Sequence, residues 1–442
     1  MGNQNRRVVV TGVGPITPVG IGKEAFWESL IRGRSAFRRI DFPKHDMGQY
    51  RSKVAAPIEG FDLSQFIYRL RPHKYIGRTT QFAIAAASLA LKDAGIEFEW
   101  NGDEKEDHHG RKGQYRLKAL DPFKIGVILG IGVEAMDLIE ENFHRYTVRG
   151  PRGISPFALP NIYMSAITSH VAQCFSIRGT SFAVSTACAS GTHAMINSLL
   201  QIQGGREDLM VTGGADACVT PYVFAGFDAC RAMSTRNDSP EKACRPFDRE
   251  RDGFVMGEGA GLLLFEELEH ARRRGAHLYA EVVGFGMTAD AYHLTDPDPE
   301  GKALSRALRD ALEIGGIARE EIDYINPHGT STLQNDKVET KVIKDVFGER
   351  AYTIPISATK SITGHLMGAA GGVEAVAVLL TIGRGIIHPT INYEFPDPEC
   401  DLDYVPNEAR KEEVRTGLSI SAGFGGVNSA ILFKKFEEAA SF

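Results

Sequence analysis

The chain lacks the marks of several protein classes. Its six cysteines (Cys174, Cys188, Cys218, Cys230, Cys244 and Cys400) are scattered through 442 residues, and no two stand at the two-residue spacing of zinc or dithiol sites. Cysteines so few and unpatterned predict a reduced, cytoplasmic protein. There is no basic excess: 50 Lys and Arg against 56 Asp and Glu give a formal charge of −6, which argues against a nucleic-acid partner. No apolar run approaches the ~20 residues of a membrane span. The stretch after Met1 offers only Val8–Val10 before a polar residue, too short for a signal peptide core. Arg6 stands where a myristoylation pattern needs Ser or Thr. What remains is an ordinary globular composition, 43% hydrophobic and 24% charged.

Short β-branched runs alternate with helical periods. Val8–Val10, Ile125–Leu129, Phe182–Val184, Leu209–Thr212 and Leu262–Phe265 read as buried strands, as do Ala280–Val283, Ile322–Ile325, Ile354–Ile356, Gly417–Ile420 and Ala430–Phe433. Helical segments lie between them, among them Phe82–Ala94, Thr192–Gln203, Lys302–Ile314 and Gly372–Ile382. The alternation predicts an α/β fold with sheets sandwiched by helices. An internal echo is visible. Phe82–Gly95 with Ile125–Gly132 is answered by Lys302–Gly316 with Ile322–Thr332. Phe182–Gln203 is answered by Pro355–Ile382, and Asp208–Gly214 by Thr416–Gly426. Three pairs in one order predict two similar halves, 1–272 and 273–442. Trp100–Phe123 has no apolar period and predicts a solvated loop. Its His108–His109 pair has no ligand cluster around it.

Chemistry concentrates in four places. At Ser185–Ile202 a buried strand runs into small residues, Cys188, and an amphipathic helix. A thiol at a helix N-terminus has its anion favoured, which predicts a lowered pKa and a nucleophile. His328 lies in Asn326–Thr332, NPHGTST, and His365 in Lys360–Gly371, KSITGHLMGAAG, both in small-residue turns after strands. A hydrolase would need one histidine. Two neutral imidazoles can instead donate to one oxygen and stabilise an enolate, as decarboxylation of a malonyl thioester requires. Lys360 reads either as a catalytic lysine or as one half of a salt bridge orienting the site, with Glu374 on the following helix as its partner. Ser421–Asn428, SAGFGGVN, offers either a backbone N–H for an oxyanion or a plain glycine turn. The glycine patterns elsewhere lack the dinucleotide and P-loop fingerprints.

TACASG around Cys188, NPHGTST, KSITGHLMGAAGGVE and GFGGVN together resemble the β-ketoacyl-[acyl-carrier-protein] synthases, their elongating type II branch in particular. Val8–Gly20 and Arg245–Gly261 extend the likeness over nearly the whole chain. The resemblance implies a duplicated thiolase-like fold, a homodimer and an acyl carrier protein partner. It implies Cys188 as acyl acceptor, His328 and His365 acting on the malonyl group, Lys360 paired with Glu374, and Phe424 gating the site. Thr330 and Thr332 would contact the phosphopantetheine arm, and Val133 and Phe227 would line the acyl pocket. Lys74, Arg78, Arg152 and Arg231 would receive the acidic carrier. Asn326, Glu374, Ser419 and Asn428 match a monovalent cation site; no other cofactor is implied. Pro327 and Ala422 depart from the family's usual residues. A thiolase would carry cysteine at His365, an initiating synthase asparagine, and a non-catalytic partner subunit would lack Cys188. A polyketide-type ketosynthase shares the triad.

Overall fold

β1 (Val8–Thr17) is buried along its whole length; both faces are covered, which is why its sequence is a β-branched run and not an alternation. In the computed structural model, which describes residues 6–43, 45–67, 76–101 and 114–438, β1 is central to a ten-stranded sheet. The other long strands are β2 (Ile125–Gly130), β3 (Ser181–Val184), β4 (Leu209–Asp216), β5 (Gly259–Glu267) and β6 (Ala280–Ala289). β7 (Tyr324–Asn326), β8 (Thr416–Gly423) and β9 (Val427–Lys434) follow. Their order is β7-β8-β9-β6-β1-β5-β4-β2-β3, and short Gly20–Ile21 pairs with β1.

The order contains the predicted echo. From β1 outward the pairings run antiparallel to β5, antiparallel to β4, parallel to β2 and parallel to β3. From β6 outward they run antiparallel to β9, antiparallel to β8 and parallel to β7. The two series touch where Val9 and Val10 pair with Glu281 and Ala280. Ile354–Ile356, expected as the matching fifth strand, makes only a bridge between Ile325 and Ile356. Pro355 has no N–H to offer a ladder, although its carbonyl accepts from Ile325.

Helices α1 (Arg78–Asp93) and α3 (Lys302–Gly315) cover the outer faces, while α2 (Ser190–Gln203) and α4 (Ala370–Arg384) form the middle layer. Met195, Ile196 and Leu199 of α2 share one core with Val373, Val376 and Leu380 of α4. The sequence expectation about apolar runs needs correction here. Met367–Arg384 is long and apolar enough to cross a membrane, but 89% of it is buried inside the protein. Its hydrophobicity is that of a helix enclosed between the two halves of the sheet. The segment expected as a plain loop also has structure at its ends, a hairpin of Phe98–Trp100 with Tyr115–Leu117. Tyr115 packs edge-on against Phe98 and Trp100. His108–His109 lies outside the described residues.

The middle layer depends on backbone meeting backbone. A Cβ at Gly372 of α4 would fall 2.1 Å from the carbonyl oxygen of Gly261 in β5 and 2.8 Å from the amide of Gly214 in β4. Gly372→Ala should therefore destabilise the protein by about 1–3 kcal/mol or more, read as a lower midpoint in urea unfolding. A midpoint equal to wild type would contradict this packing.

Candidate active site

Cys188 sits between β3 and α2. Ala187 before it adopts φ +49°, a strained value for a residue with a Cβ. The hydroxyl of Ser190 pins the bend, accepting from the Thr186 amide at 2.9 Å and donating to the Ala187 carbonyl at 2.6 Å. His328 follows β7. Its amide and that of Gly329 donate to the two carboxylate oxygens of Glu339 at 2.6 and 2.8 Å. His365 is held from the front half, its amide donating to Val255 and its carbonyl accepting from Gly257.

These three segments converge. His365 Nε2 lies 3.0 Å from Cys188 Sγ, and the rings of His328 and His365 stand 5.4 Å apart at 86°. Lys360 Nζ donates to the His328 carbonyl at 2.6 Å, approaches His328 Nδ1 at 3.3 Å, and pairs with Glu374 Oε1. The glycine loop lies against the thiol's turn: a Cβ on Gly423 would fall 3.2 Å from the Cys188 amide, and the Phe424 N–H favours the thiolate. Phe424 also packs on Phe227, which meets Phe254, which stands edge-on to His365. Cys188, His328, His365, Thr330, Thr332 and Phe424 all line one cavity of about 300 Å³.

Burial dominates the electrostatics. It pushes the Cys188 thiol up to about 11, against the lowering effects of Lys360 and the Phe424 N–H. This overturns the expectation of a lowered pKa: a helix terminus acts weakly next to the loss of water. Burial, reinforced by the Lys360 charge, holds both His328 and His365 well below the usual imidazole range, so both are neutral at physiological pH. Lys360 donating to His328 Nδ1 leaves the proton of that ring on Nε2.

The remaining expected residues fall in different places. Thr330 and Thr332 hydroxyls lie 2.9 Å apart. Val133 joins the apolar cluster that includes Cys188. Arg231 is exposed at the cavity lining, and Arg152 is exposed in the turn at 150–153. Arg78 is instead tied to Glu258 and to the Ile58 carbonyl. Lys74 lies outside the described residues. Asn326 Oδ1, Glu374 Oε2 and Ser419 Oγ are buried with no hydrogen-bond partner among the described residues. Asn428 instead donates to Asp290 at 2.6 Å and lines the cavity. The sequence reading missed the supporting acids. Glu339 holds His328, Asp336 accepts from Phe247 and Ser331, and Asp216 accepts from Gly132, Val133 and Gly368. For the first two the signal was present: Asp336 and Glu339 are three apart in the helix after NPHGTST, and so share a face. Asp216 carried no such mark.

Comparison with known proteins gives matches over the same span. The family model described as Beta-ketoacyl synthase, N-terminal domain, matches residues 5–271, and that described as Beta-ketoacyl synthase, C-terminal domain, matches 279–394. The 3-oxoacyl-[acyl-carrier-protein] synthase 2 of Synechocystis is 41% identical over 98% of this chain and 99% of its own length. That of Staphylococcus aureus is 42% identical over 98% of this chain and 100% of its own. Among solved structures, a beta-ketoacyl synthase from Burkholderia phymatum superposes with a TM-score of 0.86 at 33% identity, covering 98% of this chain and all of that one. A type II polyketide acyl-carrier protein in complex with its ketosynthase bound to the hexaketide gives 0.86 at 34%, with the same coverages.

Two outcomes follow from the geometry. Removing one member of the Lys360–Glu374 pair strands a buried charge, so Lys360→Met should cost about 3–5 kcal/mol. Lys360→Met with Glu374→Leu should recover much of that loss in denaturant unfolding. Because the Cys188 pKa is raised, the thiolate share grows with pH far beyond neutrality. Alkylation of Cys188 by iodoacetamide should still be climbing above pH 9, and a plateau by pH 8 would refute the raised value.

Proposed function

Because the chain belongs to the β-ketoacyl synthase family, we propose that it lengthens fatty acyl chains by two carbons on acyl carrier protein. The observation that carries the reading is the meeting of Cys188 with two neutral imidazoles in one cavity. In the first stage the Cys188 sulfur attacks the acyl thioester carbonyl, and its proton goes to the departing phosphopantetheine sulfur. In the second, malonyl-carrier protein enters and the bond to its carboxylate breaks. Carbon dioxide leaves, and the electron pair forms an enolate whose oxygen accepts N–H bonds from His328 and His365. The enolate carbon attacks the Cys188 thioester, and the Phe424 N–H, which already favours negative charge on the sulfur, stabilises the oxyanion. Collapse expels the sulfur, which regains a proton.

Neutrality suits this chemistry. Each imidazole keeps an N–H to donate without having to be protonated, and Lys360 sets which nitrogen of His328 carries it. A monovalent cation fits Asn326, Glu374 and Ser419, whose buried oxygens have no donor among the described residues. It would balance charge there, and no step above passes through it. The identity to 3-oxoacyl synthases, above that to the polyketide ketosynthases, favours fatty acyl substrates over a polyketide role.

The ketosynthase solved with its carrier protein supports a carrier partner here, with exposed Arg152 and Arg231 on the receiving side. Lys74 and Arg78 complete the proposed set, Arg78 through whatever charge its pairing with Glu258 leaves. The protein acts as a cytoplasmic homodimer, with its halves divided at 272/273. Edge strand β3 ends the sheet, and Phe143, Val148, Phe157, Leu159 and Tyr163 form exposed apolar surface on the helical stretch 136–163, as a second copy would require.

Mass spectrometry of carrier-bound products from acyl- and malonyl-carrier protein tests the reading. Wild type should give a β-ketoacyl product two carbons longer, and Cys188→Ala none. His365→Ala should lower condensation by about a hundredfold to a thousandfold while Cys188 still takes the acyl group. Free acid as the product, or normal elongation by Cys188→Ala, would overturn it.

A further inference from the structure

Asp216 ends β4 with its side chain fully buried. Oδ2 accepts from the amides of Gly132 at 2.9 Å and Gly368 at 2.6 Å, and Oδ1 from that of Val133 at 3.0 Å. The donors belong to two segments that flank the reacting sulfur. Gly132 and Val133 lead from β2 into the apolar cluster around Cys188. Gly368 lies three residues beyond His365, just after Met367 at φ +48°. The segments touch through their backbones: a Cβ on Gly368 would fall 2.3 Å from the Gly132 amide. Gly214 and Gly191 close over the Gly368 carbonyl, with room for no side chain.

Only a carboxylate satisfies this arrangement. An amide has a single acceptor oxygen, and its NH₂ would face an N–H donor. Burial pushes Asp216 up to about 7, and the three N–H groups oppose that rise. A bare hydrogen-bond acceptor could be neutral; accepting on both oxygens calls for the ion.

We infer that Asp216 is a positioning residue: it clamps the segment carrying His365 to the segment carrying Val133, and so sets the His365–Cys188 separation and the wall of the acyl pocket. The inference rests on the condensation reading above.

The test compares wild type, Asp216→Asn and Asp216→Glu, with acyl loading of Cys188 and condensation assayed separately and thermal unfolding followed on the same samples. Asp216→Asn should lose tenfold or more in kcat for condensation, with loading within threefold of wild type. Asp216→Glu, which restores both acceptor oxygens, should recover condensation to within threefold. An Asp216→Asn variant equal to wild type in both steps overturns the inference, as does a folded Asp216→Glu no better than Asn. If Asp216→Asn does not fold, hydrogen exchange on Asp216→Glu decides. Peptides spanning 131–134 and 366–369 should exchange as slowly as in wild type, and tenfold faster exchange with unchanged kcat overturns the clamp. A wild type that cannot condense sinks the functional reading; one that condenses beside an indifferent Asp216→Asn sinks only the role of Asp216.

Discussion

Cys188 and His365 come within 3.0 Å because the two halves approach each other backbone to backbone. Gly368, Gly372, Gly132, Gly191, Gly214 and Gly261 interlock at distances where any Cβ would overlap a neighbouring main-chain atom. Side chains between the layers would hold them further apart, and the imidazole would no longer reach the sulfur. Close approach comes first; the reacting groups inherit their geometry from it. The glycines lie in GAAGG after His365, in SG after Cys188, and in or just past the strands beneath. They serve packing and chemistry with the same atoms.

That closeness excludes water, and the loss of water sets the charge state of everything in the cleft. Cys188, His328 and His365 all move toward their neutral forms. Lys360 keeps its place among them because Glu374 and the His328 carbonyl face it. A buried pair of this kind is poor at adding stability, since desolvation offsets most of the attraction. Its value here is orientation: one ammonium fixes the His328 loop through its carbonyl and fixes the ring through Nδ1.

Much of this was legible in the sequence, and the pattern of success has a physical cause. Cys188, His328 and His365 each interrupt a periodic apolar segment with a reactive side chain among small residues, and such interruptions stand out. The echo between halves was legible because strand and helix periods survive divergence of side chains. Other features were hidden. Pro355 looked like part of a strand because its neighbours Ile354 and Ile356 are β-branched, yet a ladder needs N–H groups and Pro355 supplies none. The Cys188 pKa was misjudged because a helix terminus can be read from local pattern, whereas desolvation depends on residues from both halves. Asp216 was invisible for a related reason. A residue that acts by accepting backbone amides leaves no signature beyond its own letter, and its donors lie 84, 83 and 152 residues away.

A thiol held near 11 is not a ready nucleophile, and this constrains how the proposed reaction begins. On the order of one molecule in ten thousand carries the thiolate at pH 7. Transfer of the proton to His365 would create an ion pair in a cavity that disfavours both charged partners. Thioester exchange avoids that difficulty, because the proton lost by one sulfur is gained by the other and no net charge is left behind. The condensation half obeys the same rule: the malonyl carboxylate brings one negative charge, and it passes to the enolate, to the oxyanion and finally to the Cys188 sulfur, which is neutralised by a proton. In the proposed sequence the enolate faces His328 and His365, and the sulfur lies 3.0 Å from His365 Nε2. A cleft that suppresses ionisation at rest is thereby matched to a reaction that moves a single charge and never separates two.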